Sequence, residues 1–204
     1  MRAEAGRVLV PLVLVLLAAG SAGGARGPSS PHEREKAVKL VRELEADPSG
    51  KKARDARRWL ALFLVEVPDF KIQYCPEILG GTLPQRQRIR NEILAQVTYS
   101  SLAFVIENPG KAKSPFDVHR AGVLGALRAY EVLLAAEPEA RSPLLDDLVA
   151  KRNAGELDAY LAETVKVCPG GRPLTAAFMA GAVADPTPTP GARRPPGPSP
   201  VSRS

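Results

Sequence analysis

The chain has 204 residues, with 28 Lys and Arg against 22 Asp and Glu for a formal charge of +6, and only two His and two Cys. The basic excess lies outside the part that reads as folded, because residues 31–168 hold 21 Lys and Arg against 20 Asp and Glu, a balance of +1. A nucleic-acid surface needs cations concentrated on the folded body, so nucleic acid is not an expected partner.

Residues 1–25 have the layout of a secretory signal: Arg2 and Arg7, then an apolar stretch from Val8 to Ala19, then small residues with a cut after Ala22 or Ala25. The stretch is too short to span a bilayer, which takes about 20 residues. Export is therefore expected, to a periplasm or to the outside. The helical domain is expected over 26–168, followed by a loosely docked or flexible segment over 169–184. Residues 185–204 are rich in proline and poor in large apolar side chains, the composition of a disordered tail. Arg193, Arg194 and Arg203 give that tail a weak, salt-sensitive attraction to anionic surfaces.

Six helices are expected, over 31–46, 51–66, 84–107, 115–136, 143–152 and 156–167, in an all-α bundle of antiparallel pairs. Ser30-Pro31, Ser114-Pro115 and Ser142-Pro143 each place a capping hydroxyl before a first-turn proline, with an acid following. Asp47-Pro48-Ser49-Gly50, Val67-Pro68, Asn108-Pro109-Gly110, Glu137-Pro138 and Asn153-Ala154-Gly155 supply the stops. Ile89, Ile93, Val97, Ser101 and Phe104 form one apolar stripe, and Leu157, Tyr160, Leu161, Thr164, Val165 and Cys168 another. In the second helix, Ala53, Ala56, Leu60, Phe63, Leu64 and Val67 share a side. Ala61, Leu62 and Val65 then fill the side that Arg54, Asp55 and Arg58 occupy earlier, so this helix is expected to end surrounded by other helices.

After it, Phe70, Ile72 and Tyr74 alternate with Lys71, Gln73 and Cys75, which predicts a short extended segment that carries Cys75 to its partner. Two cysteines in an oxidising compartment are expected to join, so Cys75 and Cys168 read as one disulfide closing a long loop. The alternative, free thiols acting as nucleophile or metal ligands, lacks CxxC spacing and nearby further ligands. In the fourth helix Gly122, Gly125, Ala126 and Ala129 are small where a core helix carries Leu, which predicts close approach of another backbone. The polar run Gln96–Ser101 at the middle of the third helix predicts buried hydrogen bonds.

Catalytic signatures are sparse. His32 and His119 stand alone at helix starts, and the chain has no HExxH, EF-hand, GxSxG, P-loop or GxGxxG pattern. No metal and no cofactor is expected. Asp146-Asp147 and Glu137 with Glu139 read as solvated helix ends. Ala126, Tyr130, Leu133 and Pro138 half-match the second helix of a tetratricopeptide repeat, but no first helix or second copy accompanies them.

Arg58-Trp59, an apolar run, Glu66-Val67-Pro68-Asp69, then Cys75 and a last helix ending at Cys168 resemble a pattern in exported bacterial all-helical proteins with no assigned function. The resemblance covers residues 34–168 and implies compartment and fold only. The expected function is an exported binding or interaction module of the cell envelope or extracellular space, with a protein or small-molecule partner. One alternative is a hydrolase whose polar groups converge in the fold, with Glu66, Glu92, Tyr99 and Glu107 as the candidate site. Another is a periplasmic chaperone or lipid carrier, which needs an apolar groove. Glu66 is the odd residue, an acid at the negative end of its helix dipole, expected to anchor a structural ion pair or loop bond rather than to react.

Overall fold

A computed structural model describes residues 26–79, 87–168 and 172–173. The expectations for residues 1–25, 84–86 and 174–204 lie outside them. The described residues form six helices: α1 (Pro31–Ala46), α2 (Ala53–Glu66), α3 (Gln87–Glu107), α4 (Pro115–Ala136), α5 (Pro143–Ala154) and α6 (Leu157–Lys166). Single 3-10 turns over Pro76–Leu79, Pro109–Lys111 and Pro138–Ala140 join them.

The helix starts follow the serine chemistry in two cases of three. Ser30 forms a full capping box: its Oγ accepts from the Glu33 amide at 3.3 Å, and the Glu33 carboxylate accepts from the Ser30 amide at 2.8 Å. Ser114 Oγ accepts from the Asp117 amide at 3.3 Å. Each cap stabilises its helix by about 1 kcal/mol. Ser142 departs from the expectation, because its hydroxyl makes no capping bond. The buried Tyr130 phenol takes over that end of α5, accepting from the Ser142 amide at 2.9 Å and donating to Asp146 Oδ1 at 2.7 Å. α5 also runs two residues further than expected, to Ala154, and stops where Gly155 adopts φ +76°, a backbone geometry that favours glycine.

α3 is the centre of the molecule. Its Ile89, Ile93 and Val97 enter one apolar core with Val123, Leu127 and Leu133 of α4, Leu145 and Leu148 of α5, Leu157 and Leu161 of α6, and Ile78 and Leu79. Its Ala95, Tyr99, Leu102 and Ala103 enter a second core with Ala37, Val41 and Leu44 of α1 and Leu60 and Phe63 of α2. α4 lies antiparallel against α3, and the small residues allow it. A Cβ at Gly122 would meet the Val97 carbonyl oxygen at 2.7 Å, and one at Gly125 would overlap Ser100.

The end of α2 differs from its expected burial. Ala61 is buried, but Leu62 and Val65 are half exposed. The reason is that α1 and α3 cover only the Leu60 and Phe63 side, and no other described helix lies over the opposite one. The extended segment is also shorter than its alternation suggests, with regular pairing confined to β1 (Gln73–Tyr74). β1 pairs antiparallel with β2 (Arg172–Pro173) through Gln73 to Pro173 and Tyr74 to Arg172. Beside this ladder Cys75 and Cys168 are joined, with Cα atoms 5.9 Å apart. No helix among the described residues is long and apolar enough to cross a membrane.

Candidate functional site

Among the described residues, a dense polar arrangement lies where α1, α3 and α4 meet, around Glu45. This acid follows Val41 by one turn on the buried side of α1, and its side chain is only 6% exposed. Its Oε1 accepts from Arg42 Nη1 at 2.9 Å and Ser100 Oγ at 2.7 Å. Its Oε2 accepts from Arg128 Nη2 at 2.8 Å and Nε at 3.1 Å. Gln96 Nε2 in turn donates to Ser100 Oγ at 3.0 Å. With Arg42 and Ser100 on Oε1 and Arg128 on Oε2, both oxygens of the carboxylate are occupied by donors of the fold. Ser100 gives its proton to that carboxylate, is buried and has no imidazole among its bonding partners. The knot is built to hold three helices together, not to attack a substrate.

The four residues of the candidate polar site do not converge: Glu92 and Tyr99 both meet Arg57, while Glu107 and Glu66 lie elsewhere. Glu107 receives Arg42 Nη2 at 2.6 Å, at the edge of the Glu45 knot. Glu92 lies 3.7 Å from Arg57 Nη2, whose guanidinium also bonds the Pro48 carbonyl. Tyr99 is wholly buried and donates to the Arg57 carbonyl at 3.1 Å, and burial pushes its phenol well above the ordinary range. Glu66 is 50% exposed and pairs with Arg26 Nη1 at 2.8 Å. Thus the three acids are met by three different arginines.

Glu66 and Asp69 together fasten the segment before α1. Arg26 bridges Glu66 and Glu33, and its guanidinium stands 5.8 Å from the Phe63 ring. Ser29 donates twice to Asp69, from its amide at 3.1 Å and its hydroxyl at 2.6 Å. Burial alone would lift the Asp69 carboxyl, but the Ser29 bonds outweigh it and hold that carboxyl below the ordinary carboxylate range.

Of the histidines, His32 is exposed, whereas His119 is buried early in α4 and its burial favours the neutral ring. Asp146 receives Tyr130 and Arg141, so this acid is not simply a solvated helix end. Among the described residues, the grouping of three His, Cys or acidic ligand atoms within 4.8 Å of one another is Cys75, Glu77 and Cys168.

Among the described residues, the large apolar side chains left exposed are Val132 of α4, Val167 just past α6 and, together on one side of α2, Leu62 and Val65. Leu62 and Val65, one turn apart, are 50% and 51% exposed. Arg54 and Arg58 lie on the same side one and two turns earlier, and with Lys51 and Asp55 they line a shallow open recess. The residue order shows why sequence reasoning placed this side in the core. A run from Trp59 to Val65 is apolar all round, and only the packing partners reveal which half of it is covered. No protein-family model, no curated protein and no solved structure matches the chain.

Proposed function

We propose that the chain is an exported helical binding module that offers the outer side of α2 to a protein partner. The partner's complementary surface is an apolar contact rimmed by acidic side chains. The observation that carries this reading is the half-exposed Leu62 and Val65 pair, continuous along the helix with Arg54 and Arg58. Two apolar side chains bury little area, so the arginines contribute mainly to encounter rate and orientation, and binding weakens with salt. Catalysis has less support, since Glu66, Glu92 and Glu107 are each drawn to an arginine and Ser100 and Tyr99 are buried in structural bonds. Export is supported by the signal-like start of the sequence and, weakly, by the Cys75–Cys168 bridge.

A photo-crosslinking residue at position 62 or 65 of the full chain, in cells that export it, tests the reading. The expected result is one discrete adduct, reduced by Arg58→Glu, absent with the probe at exposed Glu163 of α6, and traced by mass spectrometry to an acidic segment of one protein. No adduct, equal adducts at all three positions, or co-pelleting with anionic lipid vesicles through Leu62 would overturn it.

A further inference from the structure

The bridge between Cys75 and Cys168 has a third member. Glu77 Oε2 stands 3.4 Å from Cys75 Sγ and 3.3 Å from Cys168 Sγ. While the sulfurs are bonded to each other they carry no proton to donate, so the carboxylate gains no hydrogen bond from either. Its position gains a purpose once the bond is opened.

We propose that the reduced protein binds one zinc-class divalent cation through Cys75 Sγ, Cys168 Sγ and Glu77 Oε2, with water completing the coordination. Two thiolates and a carboxylate are a donor set that zinc accepts. On a tetrahedral zinc, with metal–sulfur bonds of about 2.3 Å, the two sulfurs stand about 3.8 Å apart and each sulfur about 3.5 Å from an oxygen ligand. The two sulfur-to-oxygen spacings already present fall close to the latter. Only the two sulfurs have to separate, by side-chain rotation.

Other contacts keep the chain segments together after the bond breaks. The β1–β2 ladder pairs Tyr74 with Arg172, on either side of the two cysteines in sequence. Tyr160 of α6 donates to the Ile78 carbonyl at 3.3 Å, tying the turn that bears Glu77 to the helix that leads to Cys168. Cys75 is buried while Glu77 is exposed, so the metal would have protein on one side and solvent on the other, where the water ligand enters.

The chemistry balances with a phosphine or a dithiol as reductant. Two electrons and two protons convert the disulfide to two thiols, and a phosphine supplies the electrons by becoming its oxide with oxygen from water. Metal binding then releases the two thiol protons. Occupancy is therefore gated by thiol redox state, and the 91 positions between Glu77 and Cys168 conceal the ligand set from motif reading.

The test uses the full chain reduced with a phosphine and titrated with Co2+ and then Zn2+, with the oxidised chain alongside. Expected are one Co2+ per reduced chain with thiolate charge-transfer and tetrahedral bands, loss of those bands on adding Zn2+, and release of about two protons per metal below the thiol pKa. The oxidised chain gives none of these. Glu77→Gln, a change on an exposed side chain, weakens Zn2+ binding about tenfold or more. Circular dichroism of the reduced wild type accompanies the titration. No stoichiometric binding by the reduced chain, whether folded or unfolded, would overturn the proposal, as would Zn2+ binding unchanged by Glu77→Gln.

Discussion

Ser100 Oγ donates to Glu45 Oε1 at 2.7 Å, joining α3 to α1 across 55 positions of sequence. Apolar ridges tolerate small slides between helices, but a directed bond to a buried carboxylate does not. Because Arg128 reaches the same carboxylate from α4, the relative registers of three helices meet on one side chain.

Removing that side chain is therefore costly. Glu45→Ala leaves the Ser100 hydroxyl short of its buried acceptor, although Arg42 and Arg128 can return to water. A loss of about 2–3 kcal/mol is expected by urea unfolding. Glu45→Gln keeps the Ser100 bond and is expected to cost less, about 1–2 kcal/mol.

Gly125→Ala should destabilise, against its intrinsic helix preference. In an open helix the change favours folding by up to about 1 kcal/mol. Here the added Cβ overlaps Ser100 and meets Glu45 Oε1, so a net loss of about 1–3 kcal/mol is expected. A melting temperature equal to or above that of the parent would contradict the close approach of α3 and α4.

The pH dependence follows from carboxyls held low in the fold. Arg152 holds Glu131 below the ordinary range, and Asp69 is held there by Ser29 against its own burial. For such a group the unfolded chain binds the proton more readily, so stability rises with pH through the acid range. The contribution is fully present above the unfolded-state pKa and is lost as pH falls through the folded one. Melting temperature should begin to fall below about pH 6.5, where the unfolded chain's His119 takes up a proton that the buried ring resists, and fall further below about pH 4 as the carboxyls protonate. Asp69→Asn with Glu131→Gln should lower it at pH 7 and shrink that acid drop.

Opening the disulfide should cost much stability and be slow with anionic thiols. A closed loop spanning 93 positions contributes about 4.6 kcal/mol in the chain-entropy account. The Glu77 carboxylate beside both sulfurs repels an approaching thiolate and disfavours the departing one. Glu77→Gln is expected to speed reduction by glutathione several-fold at low salt, with a smaller effect for a neutral phosphine and at high salt.

The helices were legible because their ends are chemical. Ser-Pro starts, first-turn acids and Pro or Gly stops act over a few residues, and all six expected helix stops and the five expected starts that lie on described residues fell within two positions. Ser142 shows the limit of local reading, since a tyrosine 12 positions away satisfies that helix end in its place. The polar run Gln96–Ser101 signalled buried hydrogen bonds, yet it could not name Glu45, whose own signal was its place one turn after Val41 on a buried stripe. The four candidate site residues were chosen for their chemistry, and their arginine partners come from other elements, so sequence could not say that they would not converge. Leu62 and Val65 were misplaced for the converse reason: an apolar run states no direction, and the covered side is set by α1 and α3, one before it and one after it in the chain.

α3 stands as a party wall between the two apolar cores, and a wall with tenants on both sides cannot be turned. Inserting a single residue near its middle would rotate everything beyond by about 100°. An insertion of that kind in α1 would spoil the fit of one core alone. In α3 it would withdraw Tyr99 and Leu102 from one side, displace Ser100 from Glu45, and disturb the contact with α4 at the same stroke. The two halves of the bundle are therefore expected to melt together in a single event.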